Sequence, residues 1–339
     1  MLNRNQLLEL RKKYLSPSLS LSYDKPLHIV RAKGQFLYDS KGDRYLDAVN
    51  NIQHVGHCHP KVVSAASEQY GILNTNTRYL DETVINYAKD LTNYLPNGLT
   101  TCFFTNSGSE SNDLALRLAR TATDSKETIV LDGAYHGHVS SLIDISPYKH
   151  NSKGGSGPPS YVHTVPMPDS YRGKYRGEEA LTGYIDELKN ILYSIKKNGK
   201  NISAFVVESI MGCGGQLILP DGFLERAFEL VRDEGGVCIA DEVQIGFGRV
   251  GSKFWGFETA NVQPDIVTMG KSMGNGHPLS VVVTKKQIAD KFNNGMEYFN
   301  SFGGNPVSCA VGKAVLNVIE DEKLQQNAHK VGEYLLEKL

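Results

Sequence analysis

Three segments of the 339-residue chain end an apolar run in residues able to do chemistry. Asn106-Ser107-Gly108-Ser109-Glu110 follows one apolar run and opens a helical one, so free backbone N–H groups beside a glycine can cradle a phosphate. The same five residues also read as a capping box, with Ser107 as cap and Glu110 reaching back. Val237-Cys238-Ile239-Ala240-Asp241-Glu242 ends in two carboxylates. An acid buried at a strand end needs a cationic partner, which a protonated pyridine nitrogen provides; a helix cap or a salt bridge is the plainer reading. Asp265-Ile266-Val267-Thr268-Met269-Gly270-Lys271-Ser272 ends in a lysine among glycines. Most lysines are solvated surface charges, but a desolvated one loses basicity and becomes a nucleophile toward a carbonyl carbon.

Two other groupings carry less. Gly246-Phe247-Gly248-Arg249-Val250-Gly251 has the glycine spacing of a dinucleotide fingerprint, yet SKFWGFE after it is no helix and the acid precedes it, so it reads as a loop. His54, His57 and His59 with Cys58 crowd one turn before Pro60 without the paired spacing of a zinc site; they read as loop-shaping or site-edge residues, and no metal is expected.

The elements that must position these residues follow from periodicity. Residues 26–49 read as extended segments around the turn Ser40-Lys41-Gly42-Asp43, a hairpin. Pro60 opens an amphipathic helix to about Leu73, and Asp81 caps another to about Leu95. From Thr100 the chain alternates: strand 101–105, helix 109–121, strand 128–132, a polar loop Pro147–Pro159, strand 161–165, helix 177–197, strand 203–208, helix 222–234, then strands 237–241, 265–269 and 280–284. Alternation of this kind predicts an α/β fold with a largely parallel sheet covered on both faces, and ligands at the carboxyl ends of its strands. The loop SPYKHNSKGGSGPP offers no face to bury and is the expected mobile segment.

Lys plus Arg is 36 and Asp plus Glu 37, giving a net charge of −1 with no block of one sign, so nucleic acid and anionic membrane are poor partners. The apolar runs fall far short of the ~20 residues of a spanning helix. The charged start MLNRNQLLELRKK shows no targeting sequence, and five scattered cysteines fit a reducing cytosol, so a cytoplasmic protein beginning at Met1 is expected. Cys102 and Cys238 read as core.

A phosphate cradle, a strand-end acid and a strand-end lysine are together the parts that pyridoxal phosphate requires. In order along the chain, TNSGSESNDLALRLAR, GAYHGH, IADEVQIGFGRVG, DIVTMGKSMGNGHP and NSFGGNPVSCA resemble the class III, fold-type I aminotransferases over most of the sequence. Within that family NNIQHVGHCHP, LNTNTRYL, SSLIDISPYK, PDSYRGKYRG and ESIMGCGGQ are most similar to the ammoniophospholyases of ethanolamine phosphate and 5-phosphohydroxylysine. The resemblance implies an N-terminal segment 1–62 that contributes to a small domain, a large cofactor-binding domain 63–305, and at 306–339 the start of a C-terminal small domain cut short.

It also implies roles. Lys271 is the residue that bonds to the cofactor, and Asp241 pairs with the ring nitrogen; both are the catalytic candidates. Ser107, Gly108 and Ser109 hold the phosphate, and Ser301 is supplied to it by a neighbouring subunit, so a homodimer with shared sites is expected. Tyr135 stacks on one ring face beside His136, Val243 packs the other, Gln244 lies near the ring hydroxyl and Glu208 stands at a strand end nearby. Where many relatives carry an arginine three residues after the stacking aromatic there is His138, and where several carry a glutamate in the loop after Glu208 there is Cys213. Those groups handle amino-acid carboxylates, so a phosphorylated amine is expected instead, met by Arg78, Lys149 and Asn51, with Arg172 and Arg176 reading as surface charges. The expected reaction is elimination of phosphate with loss of ammonia. The alternatives are transamination of an ω- or α-amino acid with a keto acid, or an inactive truncated homologue.

Overall fold

The computed structural model of the protein describes residues 2–339, which fall into two compact units. One unit runs to Asn50 and takes in Gly56–His59. It holds helix α1 (Arg4–Tyr14), capped reciprocally by Asn3 and Gln6, and an antiparallel meander of β1 (Ile29–Lys33), β2 (Phe36–Asp39) and β3 (Arg44–Leu46). The β2–β3 turn is the one expected from Ser40–Asp43: Asp39 Oδ1 accepts the N–H groups of Lys41 and Asp43 at 2.9 and 3.0 Å, fixing the reversal.

The other unit comprises Asn51–Val55 and Pro60–Leu339. It opens with α2 (Pro60–Tyr70) and α3 (Glu82–Thr92), the latter capped by Asp81 as its position predicts. Then come β4 (Leu99–Thr105), α4 (Gly108–Thr123), β5 (Glu127–Leu131), two short helices α5 (Ser140–Asp144) and α6 (Pro147–His150), β6 (Val162–Val165), α7 (Glu179–Lys197) and β7 (Ile202–Glu208). A two-residue pair, β8 (Ile210–Met211) and β9 (Leu217–Ile218), precedes α8 (Phe223–Asp233), β10 (Val237–Asp241), β11 (Ile266–Met269), β12 (Ser280–Lys285), α9 (Lys286–Phe292), α10 (Pro306–Asp321) and α11 (Leu324–Leu336).

Seven strands form one sheet in the order β4-β12-β11-β10-β7-β5-β6. All run parallel except β12, which is antiparallel to both neighbours. Alternate residues of the central strands feed opposite layers: Phe205 and Val207 pack with α7 and α8, whereas Ala204 and Val206 pack with Leu114 and Leu118 of α4. That two-sided burial explains the unbroken apolar reading of β7. A third cluster joins α2, α3 and α10 to the β4–β12 side through Tyr87, Leu91, Val281 and Val315. No described helix is long and apolar enough to cross a membrane.

The polar loop differs from its expectation at its start. Ser146, Pro147 and His150 are buried in and beside α6, where Ser146 Oγ accepts the N–H of His136 at 2.9 Å, while Tyr148, Lys149 and most of the stretch from Asn151 onward are exposed. Cys238 is fully buried, whereas Cys102 is only partly so.

Candidate active site

The strand ends place three groups in one row. Parallel register sets Glu208 of β7 beside Asp241 of β10, and Asp241 beside Thr268 of β11, two residues before the loop that carries Lys271. Across from them α4 begins. Ser107 is its N-cap, accepting the Glu110 N–H at 3.2 Å, while Glu110 reaches past Ser107 to the N–H of Asn106 at 3.2 Å. Capping and cradle are therefore compatible: the first-turn N–H groups of Gly108 and Ser109 have no acceptor within the helix. A Cβ at Gly108 would lie 2.8 Å from Val243 Cγ1, so only glycine lets helix and loop close up there.

Asp241 is 4% exposed and held from both sides. Its Oδ2 accepts from Asn112 Nδ2 and His136 Nδ1, each at 2.8 Å, and its Oδ1 accepts the Val243 N–H at 3.1 Å. Asn112 also donates to the His136 carbonyl at 2.8 Å and accepts from Thr268 Oγ1 at 2.6 Å. His136 Nε2 is buried without a partner. Lys271 Nζ donates to Gln244 Oε1 at 3.1 Å. Glu208 takes the N–H groups of Tyr135 at 3.2 Å and Gly212 at 3.0 Å, and burial pushes its carboxyl above the usual range. Ser109 Oγ lies 3.0 Å from His138 Nδ1 and accepts the His138 N–H at 3.2 Å.

Of the residues singled out from sequence, Ser107, Gly108, Ser109, Tyr135, His136, Glu208, Asp241, Val243, Gln244 and Lys271 line one cavity of about 210 Å³. Four others lie elsewhere. Lys149 is exposed at the end of α6, its Nζ 5.7 Å from the Tyr135 ring centre and 5.5 Å from that of Tyr148. Arg78 pairs with Glu297 at 3.2 Å and covers the Phe299 ring on the surface, and Ser301 is exposed on the same loop system. The Asn51 carbonyl accepts from Arg249 at 2.8 Å. Asn112 and Arg249 were not singled out; Asn112 was findable, since four residues from Gly108 puts it on the same face of α4.

The other two groupings resolve separately. Residues 246–251 form a turn with positive φ at Phe247, Gly248 and Gly251, not the opening of a helix. His54 bonds to the Phe247 carbonyl at 2.6 Å, and His57 to Asp47 at 2.7 Å.

The cavity fits pyridoxal phosphate by its donor set: a helix N-terminus with hydroxyls for a phosphate, a fixed carboxylate for a ring nitrogen, an amine for the carbonyl carbon, and an aromatic and an aliphatic side chain for the ring faces. A model of the class III aminotransferases matches residues 20–339. The chain belongs to the class III aminotransferase family. It is a pyridoxal-phosphate-dependent protein of the fold-type I architecture, similar in structure to an amine transaminase from an uncultivated Pseudomonas species in its PLP-bound form (27% identity, TM-score 0.86, covering 96% of this chain and 79% of that one). Among class III relatives it is 49% identical to an alanine–glyoxylate aminotransferase 2-like protein of Drosophila melanogaster, over 99% of this chain and 69% of that protein. It is 42% identical to the ethanolamine-phosphate phospho-lyase homolog 1 of Caenorhabditis elegans, over 98% of this chain and 74% of the relative. A phospholyase from Arthrobacter in complex with phosphoethanolamine superposes with a TM-score of 0.91 at 39% identity, covering 97% of this chain and 77% of that one.

Proposed function

We propose that this class III enzyme is a phospho-lyase that takes a phosphorylated primary amine such as ethanolamine phosphate and releases phosphate and ammonia, leaving an aldehyde. The observation that carries the reading is the cation over aromatic rings at Tyr135. Lys149 projects its ammonium over Tyr135 and Tyr148, which stack edge to face at 6.0 Å, so a positive charge stands beside the residue assigned to the ring face. A phosphate dianion on the substrate carbon next to the amine carbon is matched by such a point charge. His138 is tied to Ser109 rather than open as a carboxylate receptor, and Cys213 leaves the loop after Glu208 without an acid.

When bound, pyridoxal phosphate supplies an electron sink for the pair left at the amine-bearing carbon. Gly108 and Ser109 hold its phosphate, and Asp241, fixed by Asn112 and His136, stabilises a protonated ring nitrogen by its charge. Lys271 Nζ takes the proton from the amine-bearing carbon, and Gln244 holds that amine in place. Lys149 stabilises the phosphate as its C–O bond breaks. Water then completes the hydrolysis, so substrate plus water balances aldehyde, ammonia and phosphate, with no keto acid consumed. Ser301 reaches the cradle from a second copy of the chain in this reading.

The test supplies cofactor-loaded protein with ethanolamine phosphate and no keto acid, and measures phosphate and ammonia. Equal release of both, lost in Lys271→Ala, is expected. The second reading, transamination, is favoured by the name of the Drosophila relative. Absence of phosphate, with a change in visible absorbance that a keto acid reverses, would replace the lyase by a transaminase.

A further inference from the structure

Arg249 lies in the glycine-rich loop 246–251, and nothing in the reaction above uses it. Its Nη2 reaches three acceptors from two separate segments: the Asn51 carbonyl at 2.8 Å and His54 Nδ1 at 3.3 Å from one, and Ser272 Oγ at 3.1 Å from the other. All three acceptors are neutral. His54 Nε2 donates to the Phe247 carbonyl at 2.6 Å, which leaves Nδ1 as the lone-pair side that Arg249 meets. Burial and the neighbouring guanidinium push His54 down to about 4, so it is neutral at ordinary pH and keeps that lone pair. A second link runs alongside, from the Val55 N–H to Asn275 Oδ1 at 2.9 Å.

The segments joined in this way flank Lys271. Ser272 is its next neighbour and is 1% exposed. Lys271 itself has φ +37°, in the left-handed region that a side chain with a Cβ enters only when its surroundings impose it. Phe247 at φ +66° and Asn275 at φ +46° bracket the same junction. Strain at a lysine whose Nζ must reach a carbonyl carbon is useful only if the next residue cannot relax it, and the hydroxyl of that residue is the one Arg249 grips. Burial lowers the Arg249 pKa, so the cation is kept at a cost that a neutral side chain would not incur.

We infer that Arg249 is a positioning residue: acting through Ser272, it holds Lys271 in the conformation that presents Nζ to the cofactor. The inference rests on Lys271 being the residue that bonds to the cofactor, and it stands whether the reaction is elimination or transamination.

The test uses the full chain with Arg249→Met, Arg249→Lys, Ser272→Ala and Lys271→Ala. Apo protein is mixed with pyridoxal phosphate, and the visible absorbance is followed in time and then against pH, with thermal melts alongside. Arg249→Met is expected to load about tenfold or more slowly and to move the midpoint of the absorbance titration by about half a pH unit or more. Arg249→Lys should recover part of both, because an ammonium can still reach one or two acceptors. Ser272→Ala removes the grip while keeping the cation, so it should reproduce the shift in smaller measure even if Arg249→Met fails to fold. Loading rates within about twofold of wild type and midpoints within about 0.2 pH unit of it in Ser272→Ala and Arg249→Lys, with only the melting temperature altered, would overturn the inference. A Lys271→Ala protein that still develops the wild-type absorbance would instead overturn the assignment of Lys271.

Discussion

At Asp241 three donors converge on two oxygens, and their arrangement says what a substitution does. Asn112 and His136 share Oδ2 while the Val243 N–H takes Oδ1, so an amide of the same shape must turn its NH₂ toward a donor on one side or the other. Asp241→Asn is therefore expected to leave one buried donor unsatisfied, costing about 1–3 kcal/mol of stability. Loss of the charge should lower turnover by about 100-fold or more, because the electrostatic support for a ring nitrogen goes with it. A melt near wild type together with unchanged turnover would contradict that account. The carboxylate was legible in the sequence as an acid ending an apolar strand. Its Asn112 and His136 partners were less so, since Asn112 lies 129 residues from Asp241 along the chain and only the packing of α4 on the sheet brings them together.

Asp241, which ends β10, and Glu242, the residue after it, face opposite ways. Asp241 faces the cavity, whereas Glu242 turns away to accept from Ser209 Oγ at 2.7 Å and from the N–H groups of Gly256 at 2.7 Å and Phe257 at 3.0 Å. From sequence the pair looked like one feature; as an element it has two jobs, one at the cavity and one in the core. Burial raises the Glu242 carboxyl from 4.5 to about 7 and lowers His54 from 6.5 to about 4. The folded state thus keeps a proton at Glu242 that the unfolded chain has lost, and stability falls as pH climbs from 4.5 toward 7. At His54 the unfolded chain holds the extra proton, and stability rises as pH climbs from about 4 to 6.5. The two slopes, each up to ~1.4 kcal/mol per pH unit, oppose one another over most of that window. Glu242→Gln removes the falling slope, so its melting temperature should climb more steeply between pH 5 and 6.5 than that of wild type; parallel profiles would sink the argument. Element types came from periodicity and caps, as at Asp81, but the reversed direction of β12 did not. It was present in the spacing all the same, because residues 270–279 hold no crossover helix and are too few to return a parallel strand. The place of β12 beside β4 left no local trace, since the two strands lie far apart in sequence.

At the scale of the molecule, two of the residues outside the cavity, Arg78 and Ser301, belong to one surface. The segments 74–80 and 297–307 are joined by the Arg78–Glu297 pair at 3.2 Å and the Asn74–Val307 contact at 3.4 Å, and they carry Tyr79, Leu80 and Phe302 at 67%, 99% and 70% exposure. Asn300 anchors that surface to the start of α4 by accepting from Asn106 at 3.0 Å and donating to Glu110 at 2.9 Å, and the adjacent Ser301 is exposed. Large side chains this exposed, near a serine expected at the cavity but lying outside it, fit the proposed second copy of the chain. If each cavity takes Lys271 from one copy and Ser301 from the other, two inactive variants must complement. Lys271→Ala lacks the amine, and Ser301→Glu sets a carboxylate against the bound phosphate. Mixed, unfolded together and refolded, they should pair at random, so half the dimers are hybrid and each hybrid has one cavity with both residues intact. Activity should then return to roughly a quarter of wild type, although each variant alone has none. A mixture as inactive as its parts, with hybrid dimers verified by mass, would mean that Ser301 serves the cavity of its own chain; a protein monomeric at assay concentration would remove the shared site altogether.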